Sequence, residues 1–278
     1  MRARWGAIAV ALPLAACTHA FNYSDPAWPR YGQAHAPIQA SAGDTLRIVT
    51  FNIQFARHTA IAIDLIRSTP ALARADVLFL EEMDAPATKA VADSLGMSWI
   101  YYPATLHPET HRDVGNAILS RYPIVEDSKL VLPHLARGFQ TARAAVAATL
   151  MVDGRPVRVY AVHLATLIGN GPNERRDQFR VVLDDAERYR DVIIAGDFNS
   201  ETVPEVALAR GYRWPTRHLP HTNGWWTFDH VLLRGFAPAG PDSLGVVHDN
   251  RGASDHKPVW AVLVRDGSPA ASLGATGR

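Results

Sequence analysis

Apolar and polar positions alternate between two periodicities along most of the chain. Residues 46–51 form a short apolar run of the kind a buried strand makes, and residues 76–80 form another. Between them Ile61, Ala62, Leu65 and Ile66 recur at helical spacing and predict an amphipathic helix. Asp84 is placed to cap a second helix, with Pro86 in its first turn and Ala87, Val91 and Leu95 on one face. Residues 116–120, 141–151 and 157–163 read as strands, Phe179, Val182, Leu183 and Ala186 as a helix, and residues 192–195, 227–233 and 258–264 as strands. Long β segments with few helices predict an α/β fold: a four-layer sandwich of two packed, mainly antiparallel β-sheets flanked by helices.

The flanks lack this patterning. Arg2 and Arg4 precede an uncharged stretch, residues 5–16, which is too short for a membrane-spanning helix of ~20 residues and suits an export signal. The run Leu14-Ala15-Ala16-Cys17 resembles the lipobox of bacterial lipoproteins. That resemblance implies cleavage before Cys17, lipidation of Cys17 and a lipid-anchored protein of the cell envelope. Thr18, in place of Asp, resembles the sorting pattern for the outer membrane. The competing reading is a buried cysteine behind an ordinary secretory signal. Residues 18–44 carry Pro26, Pro29, Pro37 and several aromatics without a period, and read as a tether whose aromatic part packs on the domain. The expected division is a signal at 1–16, the lipidated cysteine and tether at 17–44, a catalytic domain at 45–265 and a small, polar, disordered tail at 266–278.

Composition narrows the class. With 47% hydrophobic and 20% charged residues in 278, the chain is globular rather than disordered or fibrous. A single cysteine excludes an intramolecular disulfide and any multi-cysteine metal site. The net charge is +1, and removal of Arg2 and Arg4 leaves 26 basic against 27 acidic residues, or −1. Such a balance gives no bulk electrostatic grip on nucleic acid, although a local basic groove is compatible with it.

The chemistry concentrates where strands end. Asn52, Glu82, His163, Asp197 and Asn199 each follow an apolar run, Asp229 begins one, and Asp255-His256 precedes the last. Acids and imidazoles beside apolar strands are costly unless they meet partners or a metal. Oxygen-rich ligands suit Mg²⁺ or Mn²⁺, or Ca²⁺, rather than zinc. A hard cation with histidines is suited to hydrolysis of a phosphate ester.

The ordered segments Thr50-Phe51-Asn52-Ile53-Gln54, Leu80-Glu81-Glu82-Met83-Asp84, Gly115-Asn116-Ala117, Val162-His163-Leu164, Gly196-Asp197-Phe198-Asn199-Ser200, Phe228-Asp229-His230 and Ser254-Asp255-His256-Lys257-Pro258 resemble the endonuclease/exonuclease/phosphatase superfamily. The resemblance covers about residues 46–264. It implies Glu82 as the main metal ligand, Asn52 beside it and Asp255 completing or supporting the metal shell. It implies His256 as the base on the attacking water, oriented by Asp229, with Asp197 and Asn199 positioning the water and contacting phosphate. His163 takes the place of a second histidine on the phosphate, and Asn116, in a strand near the site, is a candidate substrate contact. Two positions depart from the pattern: Glu81 stands where the family usually has Gln, and strand alternation points it away from Glu82. Gln54 stands where some members carry a further acid.

Other features have plainer readings. His230 points to the opposite face from Asp229 and belongs to the core. Arg175, Arg176 and Arg180 share their helix with Glu174, Asp177, Asp184, Asp185 and Glu187, and make a solvated mixed face rather than a phosphate grip. Arg143 reaches substrate or forms a structural ion pair. The aromatics Tyr212, Trp214, Trp225, Trp226 and Phe228 default to packing, and His107 and His111 with Tyr101 and Tyr102 give a substrate wall or core. The expectation is an exported Mg²⁺- or Mn²⁺-dependent phosphoesterase acting on a small or lipid-linked phosphate ester. A nuclease is the alternative within that chemistry, and a non-catalytic envelope binding protein the alternative outside it. Oligomeric state is not encoded in any feature of the chain.

Overall fold

The computed structural model describes residues 19–35 and 45–267. The signal read at 1–16, Cys17 and the tail from 268 lie outside the described residues, as do residues 36–44. Fourteen strands are defined among the described residues. Sheet A contains β1 (Phe21–Asn22), β2 (Tyr31–Gln33), β3 (Thr45–Asn52), β4 (Val77–Met83), β5 (Ser98–Leu106), β6 (Asp113–Ser120), β12 (Phe236–Pro238), β13 (Leu244–Val246) and β14 (Val259–Arg265). Sheet B contains β7 (Ile124–Val131), β8 (Ala144–Val152), β9 (Arg155–His163), β10 (Val192–Asp197) and β11 (Asp229–Arg234). The helices are α1 (Thr59–Ser68), α2 (Pro70–Ala73), α3 (Ala85–Leu95), α4 (Pro172–Ala186) and α5 (Glu205–Leu208). No helix among the described residues is long and apolar enough to cross a membrane.

Sheet A runs β1-β5-β6-β4-β3-β14-β12, with β2 on β5 and β13 on β14, and sheet B runs β11-β10-β9-β8-β7. Only β3–β4 and β9–β10 pair in parallel. Period-two alternation makes the layers. Ile48, Val77, Phe79 and Ile118 face Val159, Ala161, Ile193, Ala195 and Val231 between the sheets. Val49, Phe51, Leu78 and Leu80 turn outward onto Ala62, Leu65, Ile66 and Val91 of α1 and α3. Tyr160, Val162 and Ile194 turn outward onto Phe179, Val182 and Leu183 of α4. Each such side chain contributes ~1.5–3 kcal/mol of transfer free energy, so both faces of both sheets are held by burial.

Local signals set the helix ends. Asp84 accepts from the Ala87 N–H at 2.8 Å, and Gly96 closes α3 in the left-handed region. Pro172 opens α4, where the Glu174 carboxylate accepts from the Gly171 N–H at 2.7 Å. The strand expected over 141–151 begins later, at Ala144, because residues 132–143 form a loop that carries Arg143 to the end of the sandwich. Two long strands lacked a clear pattern. β5 holds Pro103 at a register shift, and β7 carries Glu126, Asp127 and Lys129, which interrupt an apolar strand pattern.

The aromatic part of 18–44 packs onto the domain. β1 and β2 pair with β5, and Lys129, buried on β7, donates to the Tyr23 and Trp28 carbonyls at 2.9 and 2.8 Å. Arg30 adds two hydrogen bonds to Asp127. The segment is thus fastened to both sheets. Lys129→Met leaves both carbonyls without their charged donor, and we expect a loss of about 2–3 kcal/mol in chemical denaturation, with faster hydrogen exchange at Tyr31–Gln33.

Candidate active site

The inward-facing apolar rows of the sandwich end in polar residues at one rim. In sheet A, Ile48 and Thr50 lead to Asn52, and Phe79 leads to Glu81, with Asn52 and Glu81 register partners. In sheet B, His163, Asp197 and Asp229 are register partners across β9, β10 and β11. The expected residues on strand ends therefore meet across the gap between the sheets. Asn52 Nδ2 donates to Asp197 Oδ2 at 3.1 Å and so links the two rows directly.

Glu82 joins this group through a backbone irregularity. The β4–β6 register shifts between Leu80 and Met83, and Glu82 has φ +55°. Glu81 keeps the inward direction of the strand, where Thr50 Oγ1 donates to it at 3.3 Å. The bulge brings Glu82 to the same rim, so the two acids are not separated as simple alternation predicts. The turn after β3 meets Glu82: Gln54, Phe55 and Ala56 all have positive φ, and the Phe55 N–H donates to Glu82 Oε2 at 3.0 Å. Three consecutive non-glycine residues in that region store strain of about 1–3 kcal/mol each. Arg112 fastens the turn by donating to the Phe55 carbonyl at 3.2 Å while pairing with Asp84.

His256 arrives on the loop before β14. Its Nδ1 lies 2.8 Å from Asp229 Oδ2, and its Nε2 lies 3.6 Å from Asp197 Oδ2. Ser254 positions it: Ser254 Oγ donates to the Asn52 carbonyl at 2.6 Å and accepts from the His256 N–H at 3.1 Å. Thr222 Oγ1 accepts from the Asp229 N–H at 3.2 Å. Asp197 accepts from the Asn199 N–H at 2.8 Å, Asn199 having φ +47°, and Asn199 Nδ2 donates to the Leu164 carbonyl at 3.1 Å. Gly196 is required just before it, since a Cβ there would stand 1.9 Å from the Val162 carbonyl oxygen. Asp255 is exposed at the mouth of the site.

The two histidines are held in opposite tautomers. Asp229 accepts, so His256 Nδ1 carries the proton and Nε2 is the basic nitrogen of the neutral ring. Arg143 can only donate, at 3.2 Å to His163 Nδ1, so neutral His163 carries its proton on Nε2. That Nε2–H is buried and has no hydrogen-bond partner; it lies 3.6 Å from Asp197 Oδ2 and 4.0 Å from Glu82 Oε1.

Electrostatics separates them further. Burial, then Arg143 and His256, hold His163 well below the usual histidine range. Burial also opposes charge on His256, but Asp229, Asp197 and Asp255 outweigh it and push the imidazole up to about 10. Burial raises Glu81 well above the carboxylate range, helped by Asp229 and Asp197. It raises Glu82 against the opposing pull of Arg143, and raises Asp197 to about 7. The Arg143 guanidinium is itself held down by burial.

Acid outnumbers base in this group. Glu82, Asp197, Asp229 and Asp255 face Arg143 and His256, four formal negative charges against two positive. Donor atoms of Asp197, Asp229 and His256 lie within 4.8 Å of one another, but their shortest contact is the His256–Asp229 hydrogen bond. Among the described residues, His163 is the only basic side chain within 4.0 Å of the Glu82 carboxylate, and no Lys or Arg forms an ion pair with Glu82 or Asp255. An oxygen-rich, charge-deficient group of this kind fits a divalent cation at Glu82 and Asp255, with Asn52 beside them.

The remaining sequence-derived residues fall into place. Asn116 spans the two sheets, Nδ2 donating to the Ala144 and Ala161 carbonyls at 2.8 and 3.3 Å. His230 packs on Trp214 and Phe198, and burial pushes it down to about 4. Arg175, expected on a solvated face, is instead buried against the Thr166 and Asn170 carbonyls, while Arg176 and Arg180 bond within α4 and stay at the surface. Ser254, Thr222 and the Phe55 N–H were not read as site elements. Ser254 sits inside the Ser254-Asp255-His256 segment, whereas Thr222 acts through its hydroxyl and Phe55 through its N–H, each from a loop that leaves no sequence signal.

An unfolded histidine titrates near 6.5, whereas His256 keeps its proton up to about 10. Its ion pairs therefore stabilise the metal-free fold fully below the lower value, and that stabilisation is lost as pH rises through the higher one. Denaturant unfolding across this window should show a decline in stability for the wild-type chain and a smaller decline for His256→Ala.

The chain matches the model of the Endonuclease/Exonuclease/phosphatase family over residues 49–256. Among solved structures it is similar to an endonuclease/exonuclease/phosphatase from Beutenbergia cavernae DSM 12333, at 22% identity and TM-score 0.65, over 82% of this chain and 73% of that one. It is similar to D. rerio TDP2 complexed with single strand DNA product, at 20% identity and TM-score 0.63, over 80% of this chain and 99% of that one. It is also similar to the human Nocturnin catalytic domain with bound sulfate anion, at 18% identity and TM-score 0.61, over 85% of this chain and 97% of that one. At such identities these structures speak for the fold alone. No curated protein sequence matches the chain. Enzymes of the matched family are hydrolases, nucleases and phosphatases among them, and typically use a divalent metal. The family match spans both sheets and every strand end of the rim, and the chain belongs to the endonuclease/exonuclease/phosphatase family.

Proposed function

We propose that the chain is an exported, lipid-anchored, Mg²⁺- or Mn²⁺-dependent phosphoesterase that hydrolyses a small or lipid-linked phosphate ester. The observation that carries the chemistry is the pair of histidines in opposite tautomers facing one acidic rim. His256 presents a basic Nε2 backed by Asp229, and His163 presents an unpartnered Nε2–H.

In this reading His256 Nε2 takes a proton from water, and Asp229 keeps the ring oriented and balances the imidazolium that forms. The water oxygen bonds to phosphorus as the ester P–O bond opposite it breaks. The departing alkoxide takes a proton from solvent, and His256 releases to solvent the proton it took from water and returns to its basic form. His163 Nε2–H donates to a phosphate oxygen, with Arg143 behind it holding the tautomer and adding positive charge. Asp197 and Asn199 orient the water beneath His256. Glu82, Asp255 and Asn52 are the residues to hold a divalent cation, which when bound supplies positive charge to the phosphate oxygens. The same charge would oppose the acids that keep His256 protonated, so the cation and the free base belong together.

Export and anchoring rest on residues 5–16 and on Cys17 after Leu14-Ala15-Ala16. The mature net charge of −1 favours a small or lipid-linked ester over long duplex DNA.

Hydrolysis of bis(p-nitrophenyl) phosphate should require Mg²⁺ or Mn²⁺ and stop with a chelator. His256→Ala and Glu82→Ala should each lower kcat/KM by about 10²–10⁴-fold, while wild-type rates in either variant would overturn the assignment. Plasmid and single-stranded DNA in the same panel separate a nuclease from an enzyme of small esters. Labelling cells with radioactive palmitate should mark the wild-type chain and leave Cys17→Ser unlabelled.

A further inference from the structure

Five of the eleven exposed large apolar side chains among the described residues lie on loops at the rim. Leu135, Leu167, Ile168, Trp225 and Trp226 are exposed and sit on three loops that leave the site. Loop 164–171 starts one residue after His163, with the Leu164 carbonyl on Asn199 Nδ2. Loop 132–143 ends at Arg143 and is tied to the first loop by the Arg137 N–H on the Gly169 carbonyl at 3.0 Å. The third is the turn at 223–226, closed by the Trp226 N–H on the Asn223 carbonyl at 2.8 Å, and Asn223 bridges to His256. Trp225 at its tip is 85% exposed, and Ile168 is 91% exposed. Water solvates such side chains poorly, whereas a lipid interface accepts both, tryptophan in particular at headgroup level. Exposed Arg57, stacked on Phe55 at 5.3 Å, adds a cation suited to a headgroup phosphate, whereas exposed Arg137 pairs with Glu174 at 3.7 Å.

The amino-terminal end of the fold leads to the same place. The Ala20 N–H donates to the Phe139 carbonyl at 2.8 Å. The Phe139 ring packs on His107, His107 packs on Phe55, and the Phe55 N–H holds Glu82. Cys17 lies three residues before Ala20, a reach of at most about 11 Å. A lipid on Cys17 would hold this rim close to the bilayer.

We propose that the rim of loops 132–143, 164–171 and 223–226 docks on a phospholipid bilayer, and that the site hydrolyses a phosphate ester carried by a lipid of that bilayer. The substrate half rests on the phosphoesterase reading above; the docking half does not.

The test uses the mature chain, begun at residue 17 and carrying Cys17→Ser, so that neither the apolar segment 5–16 nor a lipid contributes to vesicle binding. Cosedimentation with vesicles of phosphatidylethanolamine and phosphatidylglycerol is compared for this chain, for the same chain with Ile168→Ser and Trp225→Ser, and for it with Val125→Ser, an exposed apolar residue at the opposite end of the sandwich. Melting temperatures serve as the fold control. The rim variant should bind vesicles at least about tenfold more weakly, and the Val125→Ser chain should bind as its parent does. The ratio of vesicle-lipid hydrolysis to bis(p-nitrophenyl) phosphate hydrolysis should fall similarly in the rim variant. Equal vesicle binding by parent and rim variant overturns the docking surface, as does a parent that binds single-stranded DNA and no vesicles. Hydrolysis of the soluble ester without hydrolysis of any vesicle lipid overturns the substrate assignment. Rim-dependent vesicle binding with neither ester hydrolysed supports docking and overturns the phosphoesterase reading instead.

Discussion

Inward-facing rows from both sheets change from apolar to polar at one level of the sandwich, and the site depends on that shared level. His163, Asp197 and Asp229 are neighbours because β9, β10 and β11 are in register there, and Asn52 and Glu81 are neighbours because β3 and β4 are. Slipping any of these strands by one residue would turn its polar end outward and put an apolar side chain at the rim. The core between the sheets therefore also aligns the chemistry. Ile48, Phe79, Ala161, Ile193 and Val231 hold the register because each loses its burial if the strand moves.

The cost of this arrangement is a group of carboxylates desolvated together. Only the His256 imidazolium and the Arg143 guanidinium balance them, so burial raises Glu81, Glu82 and Asp197 toward neutrality. Excess negative charge of this kind is electrostatically suited to a cation. The two histidines differ for a simple reason: Asp229 accepts a proton from one, and Arg143 offers a proton to the other. Identical side chains thereby acquire opposite capacities at their Nε2 nitrogens.

The outer elements serve the same rim in less obvious ways. The bulge at Glu82 and the left-handed turn at Gln54–Ala56 store backbone strain that Arg112, Asp84 and the Phe55 N–H hold in place. Residues 19–35, without a period of their own, are ordered by pairing with β5 and by Lys129 beneath them. That attachment leads the amino-terminal end of the described fold to Phe139, beside the exposed apolar loops.

The sequence by itself determined the layers and the inventory of the site. Period-two strands, three helical stripes and the capped start at Asp84 were legible because burial and capping are local patterns. So were the polar strand ends, since an acid or imidazole closing an apolar run stands out in any such pattern. Tertiary structure decided the rest. β5 and β7 were hidden by Pro103 and by the charges of Glu126, Asp127 and Lys129, which become acceptable only when paired across the sandwich. Glu81 and Glu82 were expected on opposite faces, and a β-bulge defined by the register with β6 brought both to one cluster. Thr222, Ser254 and the Phe55 N–H gained their roles from loops folding against the rim, and no spacing encodes such contacts. Alternation depends on near neighbours in the chain, whereas tautomers, charge balance and the direction of a rim depend on residues that only the packed sheets bring together.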